Sequence, residues 1–106
     1  MGIDDSSPIS RDVWRRLTCN RGAVAALARR HHARSVRVFG SVARGEAGPE
    51  SDLDLLVEWA PEATLFDWVR LQRALSELLE MNVQITDADR VHWAIRDRVL
   101  KEARPA

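Results

Sequence analysis

The apolar segment Leu53 to Trp59 carries acids at Asp54 and Glu58, and the elements around it follow from spacing. Upstream, Val13, Trp14, Leu17, Val24, Leu27 and Ala28 recur at helical intervals, with Ser10 placed to cap the helix. Gly22 weakens its middle, and a bend is expected near Asn20. Ser35 to Phe39 alternates and is β-branched, so it reads as a strand that Gly40 stops. Leu53 to Trp59 reads as a second strand, apolar enough to be buried on both faces, with a short helix and turn before it. Thr64 and Asp67 have capping-box spacing ahead of a helix marked by Leu65, Trp68, Val69, Leu75, Leu78 and Leu79, which reaches about Met81. Val83 to Thr86 is a third strand, and Asp87 or Asp89 caps a last helix carrying Val91, Ala94, Ile95, Val99 and Leu100, ending before Pro105. The pattern is that of one α/β domain over residues 1–106, without repeat, linker or low-complexity tract.

Composition narrows the class. With 45% hydrophobic residues the chain of 106 can build one core. Cys19 is the sole cysteine, which excludes an internal disulfide and a cysteine-based metal cluster and fits a reducing cytoplasm. No stretch approaches the roughly 18 apolar residues of a membrane span, and the N-terminus lacks a signal-peptide layout.

The sixteen basic and sixteen acidic residues cancel but are segregated. Eight arginines lie between Arg11 and Arg37 against one acid, Asp12, while Gly45 to Val69 holds seven acids and no base. The arginines offer a nucleic-acid reading, but zero net charge and nearby acids leave no broad positive field. His31 and His32, adjacent on a helix, would diverge by about 100° and serve as solvated helix-end residues, far in sequence from His92. Of the four tryptophans, Trp14 and Trp68 fit helix stripes, whereas Trp59 and Trp93 do not and are interface candidates.

The chemistry concentrates in "FGSVARGEAGPESDLDLLVE", Phe39 to Glu58. Gly40 lets a backbone approach a ligand closely, Ser41 opens a helix whose N–H groups favour an anion, and Arg44, three residues on, shares that side as a fixed cation for phosphate. Glycine and serine at such a junction serve turn geometry equally well. Asp52 and Asp54 supply a second feature, since alternate strand residues point the same way with Cα atoms roughly 6.6 Å apart. Two ionised carboxylates so placed repel unless a hard cation such as Mg²⁺ lies between them. They would otherwise sit at the solvated start of the strand, with Ser51 in the turn. Cradle and carboxylate pair together suit a nucleoside triphosphate with Mg²⁺, with Gly40, Ser41, Arg44 and Ser51 on the nucleotide and Asp52 and Asp54 on the metal.

The stretch "GSVARGEAGPESDLDLLVE" resembles the signature of the minimal nucleotidyltransferases of the DNA polymerase beta-like superfamily. "LFDWVRLQRALSELLEMNVQIT" and "IRDRVLKEA" resemble the family's later helix, strand and terminal helix, whereas the N-terminal helix fits in position only. The resemblance implies a mixed sheet flanked by helices, nucleotide transfer from a triphosphate such as ATP, Gly40 and Ser41 at its phosphates, and Asp52 and Asp54 as catalytic metal ligands. It also implies a HEPN-domain toxin as partner, which many relatives adenylylate as antitoxins. One departure stands out: where the family carries a third carboxylate in a "VDLV"-like context this chain has "VQIT", placing Gln84 at that position. An amide coordinates weakly through oxygen and cannot act as a general base. Three readings follow: an adenylylating antitoxin, a nucleotide-binding module that neutralises its partner by contact, and a nucleic-acid binder using the arginines.

Overall fold

The computed structural model describes residues 6–90 and 101–106. Helix α1 (Pro8–Cys19) starts earlier than expected, because Ser7 rather than Ser10 is its N-cap and Pro8 takes the first helical position, where its missing N–H is no loss. Asn20 ends α1 and begins α2 (Arg21–Arg30), which is the expected break. Strand β1 (Ala33–Phe39) leads into the one-turn helix α3 (Gly40–Arg44). Strand β2 (Leu53–Trp59) has its expected bounds, and α4 (Leu65–Leu79) carries the Thr64–Asp67 capping box. Helix α4 stops short of Met81 because Glu80 turns left-handed at φ 54°. Strand β3 (Val83–Asp87) runs into a 3₁₀ turn, Ala88–Arg90. The expected last-helix positions Val91 to Leu100, with His92 and Trp93, lie outside the described residues. Beyond them Arg104–Pro105 forms a short strand, β4, that sequence reading placed past the end of a helix.

The sheet is mixed, in the order β3-β2-β1-β4. β1 is antiparallel to β2 and β4, and β2 is parallel to β3, so α4 is the crossover between parallel neighbours. As an edge strand β4 tolerates Pro105. One sheet face presents Leu53, Leu55, Val57, Val83 and Ile85 to the helices, where Val13, Leu17, Val24, Leu71, Leu75 and Leu79 complete the buried core. Leu56 is also buried, on the opposite face, so β2 is covered on both sides as its composition predicts. The stripe on α4 differs from expectation: Leu71, Leu75 and Leu79 face the core, while Leu65 and Val69 point outward.

Ser10 has a different task. Fully buried, its hydroxyl accepts the Ala47 N–H at 2.9 Å and lies 2.8 Å from the Ser7 hydroxyl. Ser7 N–H in turn donates to Gly45 O at 2.8 Å, so the start of α1 fastens the loop that leaves α3.

Candidate functional site

The site is assembled where β1 ends and β2 begins. Phe39, Asp54 and Gln84 form one cross-strand row, because Phe39 pairs with Asp54 and Asp54 pairs with Gln84. Partners in register share a sheet face, so Gln84 stands directly beside Asp54, on the face opposite the one that carries the core residues Leu53, Leu55, Val83 and Ile85. Asp54 is partly buried, whereas Gln84 is exposed.

Gly40 closes this row from above. Its φ is 75°, and a Cβ there would lie 2.5 Å from Asp54 Oδ2 and 3.3 Å from Asp54 Cβ and Cγ. The turn and the carboxylate therefore touch, and a glycine is required both by the backbone angle and by the contact. Gly45 has a similar φ of 76°, but a Cβ there meets Ser6, with Oγ at 2.7 Å, and not the carboxylates. Gly40→Ala and Gly45→Ala should thus each lower stability by roughly 1–2 kcal/mol through left-handed strain. Only Gly40→Ala should also displace Asp54, and so weaken the binding of whatever ligand that carboxylate holds. Thermal unfolding paired with calorimetry separates the two effects, and equal binding losses in both variants would remove the special role of Gly40.

Asp52 precedes β2 and stands close enough to Asp54 for the two charges to interact. Burial pushes the Asp54 carboxyl above the usual carboxylate range, Asp52 pushes it further, and Arg44 opposes both. Asp52 also lines a cleft of about 490 Å³ between α1 and the turn around Pro49. The pair suits a hard divalent cation by its oxygen donors, but among the described residues no three His, Cys, Asp or Glu side chains converge as a metal-binding group.

The remaining candidates are placed as follows. Ser41 lies in the first turn of α3, whose five residues give little dipole, so its contribution would come from unpaired N–H groups and its hydroxyl. Arg44 is engaged: Nε donates to Glu46 Oε2 at 3.0 Å and an Nη1 to Glu102 Oε2 at 3.2 Å. Ser51 closes the turn before β2, its hydroxyl accepting Gly48 N–H at 2.9 Å. Gly40, Asp54 and Gln84 are thus in mutual contact or register, with Asp52 and Arg44 within electrostatic reach. Ser51 is held by its own turn.

Away from this row, His31 and His32 do not diverge into solvent as expected. Because α2 ends at His31 and His32 turns left-handed at φ 63°, both rings reach Asp67, with Nδ1 to carboxylate oxygen distances of 3.9 and 3.2 Å. The Thr64 N–H first, and then the imidazoles, hold the Asp67 carboxyl below the usual range against some desolvation. The end of α2 is thereby tied to the start of α4. Helical spacing alone concealed this, since it required the chain to leave the helix between the two residues.

Comparison with known proteins gives the family and the fold. Residues 23–105 match the family described as Polymerase beta, Nucleotidyltransferase. The protein adenylyltransferase MntA of Thermococcus cleftensis is 34% identical over 76 residues, covering 72% of this chain and 77% of that one. A solved structure described as a minimal nucleotidyltransferase superposes with a TM-score of 0.77 at 49% identity, over 85% of this chain and 92% of its own. The fold also recurs, at 18% identity and a TM-score of 0.61, in a complex of a tri-AMPylated Shewanella oneidensis HEPN toxin with its MNT antitoxin, over 83% of this chain and 69% of that one. With the glycine turn seated on the Asp54 carboxylate and the family match spanning most of its length, this chain belongs to the polymerase beta nucleotidyltransferases, among the minimal nucleotidyltransferases.

Proposed function

We propose that this chain is a cytoplasmic antitoxin that transfers AMP from Mg²⁺-ATP to a hydroxyl of a HEPN toxin and so neutralises it. The observation that supports the reading is the close approach of Gly40 to Asp54, which sets a turn able to admit phosphates against a carboxylate able to bind a divalent cation. The Shewanella complex supports the choice of partner and reaction. Asp52 and Asp54 would hold the divalent ion, which when bound supplies charge neutralisation at the phosphorus under attack. Gly40 admits the phosphates close to the backbone, Ser41 and Ser51 offer hydroxyls, and Arg44 contributes charge by exchanging Glu46 or Glu102 for phosphate oxygens. In the transfer the acceptor oxygen bonds to the α-phosphorus, the bond to the β-phosphate oxygen breaks, pyrophosphate leaves, and the hydroxyl proton goes to a base.

The expected result is a mass increase of one or more AMP groups on the co-expressed toxin, read by mass spectrometry. Asp52→Asn and Ser41→Ala should each weaken Mg²⁺-ATP binding in calorimetry by at least about tenfold, roughly one lost charge-assisted contact. An unmodified toxin together with unchanged affinity in the folded double variant would dismiss the site.

A second reading is favoured by one observation, the register of Gln84 against Asp54. With an amide there, the chain would bind nucleotide and neutralise its partner by contact.

A further inference from the structure

Between α2 and the start of β1 lies a pocket of about 310 Å³. Arg21, Arg29 and Arg34 line it, all three exposed, together with the small apolar side chains of Ala25, Ala28 and Ala33. The ion pairs among the described residues engage Arg16, Arg44, His31 and His32 and none of these three arginines. Among the described residues, no acidic and no aromatic side chain lines the pocket. Ala106 borders it too, and there the sheet is incomplete. β4 pairs only with Arg37 and Val38, and the Ala106 N–H donates to Val36 O at 3.1 Å, so β1 from Ala33 to Ser35 has no strand partner on that side among the described residues.

We infer that this pocket docks an extended acidic segment of a partner protein, laid beside Ala33–Ser35 as a further strand in line with β4. An open sheet edge pairs with the main chain of such a segment, and the guanidinium groups select its carboxylates. Spacing defines the segment further. Arg21 and Arg29 are eight residues apart, roughly 12 Å along α2, and acids four residues apart on one face of a strand are separated by roughly 13 Å. The side chain midway between those acids falls against Ala25 and Ala28, which suits an apolar residue. The preferred segment therefore reads acid–x–apolar–x–acid. A nucleic-acid strand is less well matched, since the pocket offers its bases no ring of a described residue to stack on.

The location separates the pocket from the nucleotide site. Ser35 lies four residues before Phe39, roughly 13 Å along β1 from the Phe39–Asp54–Gln84 row. The inference is independent of the proposed activity, and its test needs neither ATP nor toxin.

Fluorescence anisotropy of a rhodamine-labelled, end-blocked peptide Thr-Glu-Thr-Val-Thr-Glu-Thr, titrated with the full chain over about 1–500 µM, a range suited to a small interface, tests it. The wild type should bind saturably in this range, and amide exchange within Ala33–Ser35 should slow when the peptide is added. Arg21→Glu and Arg29→Glu should each weaken binding at least about fivefold by replacing attraction with repulsion, whereas Arg30→Glu, on α2 but outside the pocket, should change it by less than about twofold. All three positions are exposed, so these variants should melt with the wild type. A peptide of the same composition with its two glutamates adjacent should bind the wild type at least about fivefold more weakly, a comparison that needs no variant. Absence of binding overturns the inference, as does an equal loss in all three variants, equal affinity for the two peptides, or unchanged exchange within Ala33–Ser35. A labelled uridine heptamer that binds more tightly than the peptide overturns it in favour of nucleic acid.

Discussion

Asp54→Asn should make the ligand-free chain more stable while abolishing its response to Mg²⁺-ATP. The Asp54 carboxyl is pushed above its ordinary range by burial and then by Asp52, with Arg44 compensating in part. A carboxyl whose folded value is raised binds its proton more readily in the folded state than in the unfolded state. Its ionised form therefore weighs against folding once the pH exceeds the folded value, and the penalty vanishes below the unfolded value near 3.9. Asparagine keeps the shape and removes the charge, so the variant should gain stability at neutral pH and lose that advantage on acidification. In a chain of about 100 residues each kcal/mol relieved raises the melting temperature by roughly 4–8 °C. Mg²⁺-ATP should stabilise the wild type by mass action and leave the variant unmoved. Thermal melts from pH 3 to 8, with and without ligand, check both halves. A variant less stable at pH 7 that still responds to ligand would show that Asp54 is a structural acid rather than a metal ligand.

The legible parts of this fold are those decided within a few residues. The bounds of β2, the break at Asn20 and the Thr64–Asp67 box were set by local polarity and capping chemistry. The parts that were not legible depend on distant partners. Ser10 looked like a cap because serine before an apolar period usually is one, yet its hydroxyl is taken by Ala47, 37 residues away. Leu65 and Val69 are apolar at helical spacing, as a core stripe would be, but the sheet lies against the Leu71–Leu75–Leu79 line. β4 could not be read from two residues containing a proline, since its pairing with Arg37 and Val38 is tertiary. In the site, Asp54 lies on β2 as the strand period predicts, and its register partner on β3 is Gln84. What the period could not give is the closeness of Gly40 to Asp54, which depends on how β1 and β2 pair across the turn.

Gln84→Glu should raise AMP transfer to the toxin by about 10²- to 10⁴-fold, the usual worth of a positioned general base. The residue is in register with Asp54 on the same sheet face and is exposed, so the isosteric carboxylate can be accommodated without repacking the core. It would give the attacking hydroxyl an acceptor for its proton, which an amide cannot provide. The same charge should be felt in the absence of ligand. A third acid beside Asp52 and Asp54 raises the repulsion already acting on Asp54, so the ligand-free variant should melt below the wild type. ATP affinity itself should change little, because Asp52 and Asp54 are untouched. Single-turnover transfer to purified toxin, alongside calorimetry and melts, distinguishes the outcomes. A rate increase without an affinity change assigns the deficit to the missing base. An unchanged rate in a variant that nevertheless melts lower when free of ligand means that the carboxylate is in place and proton removal is not what Gln84 withholds, so the base would have to come from the toxin or from water.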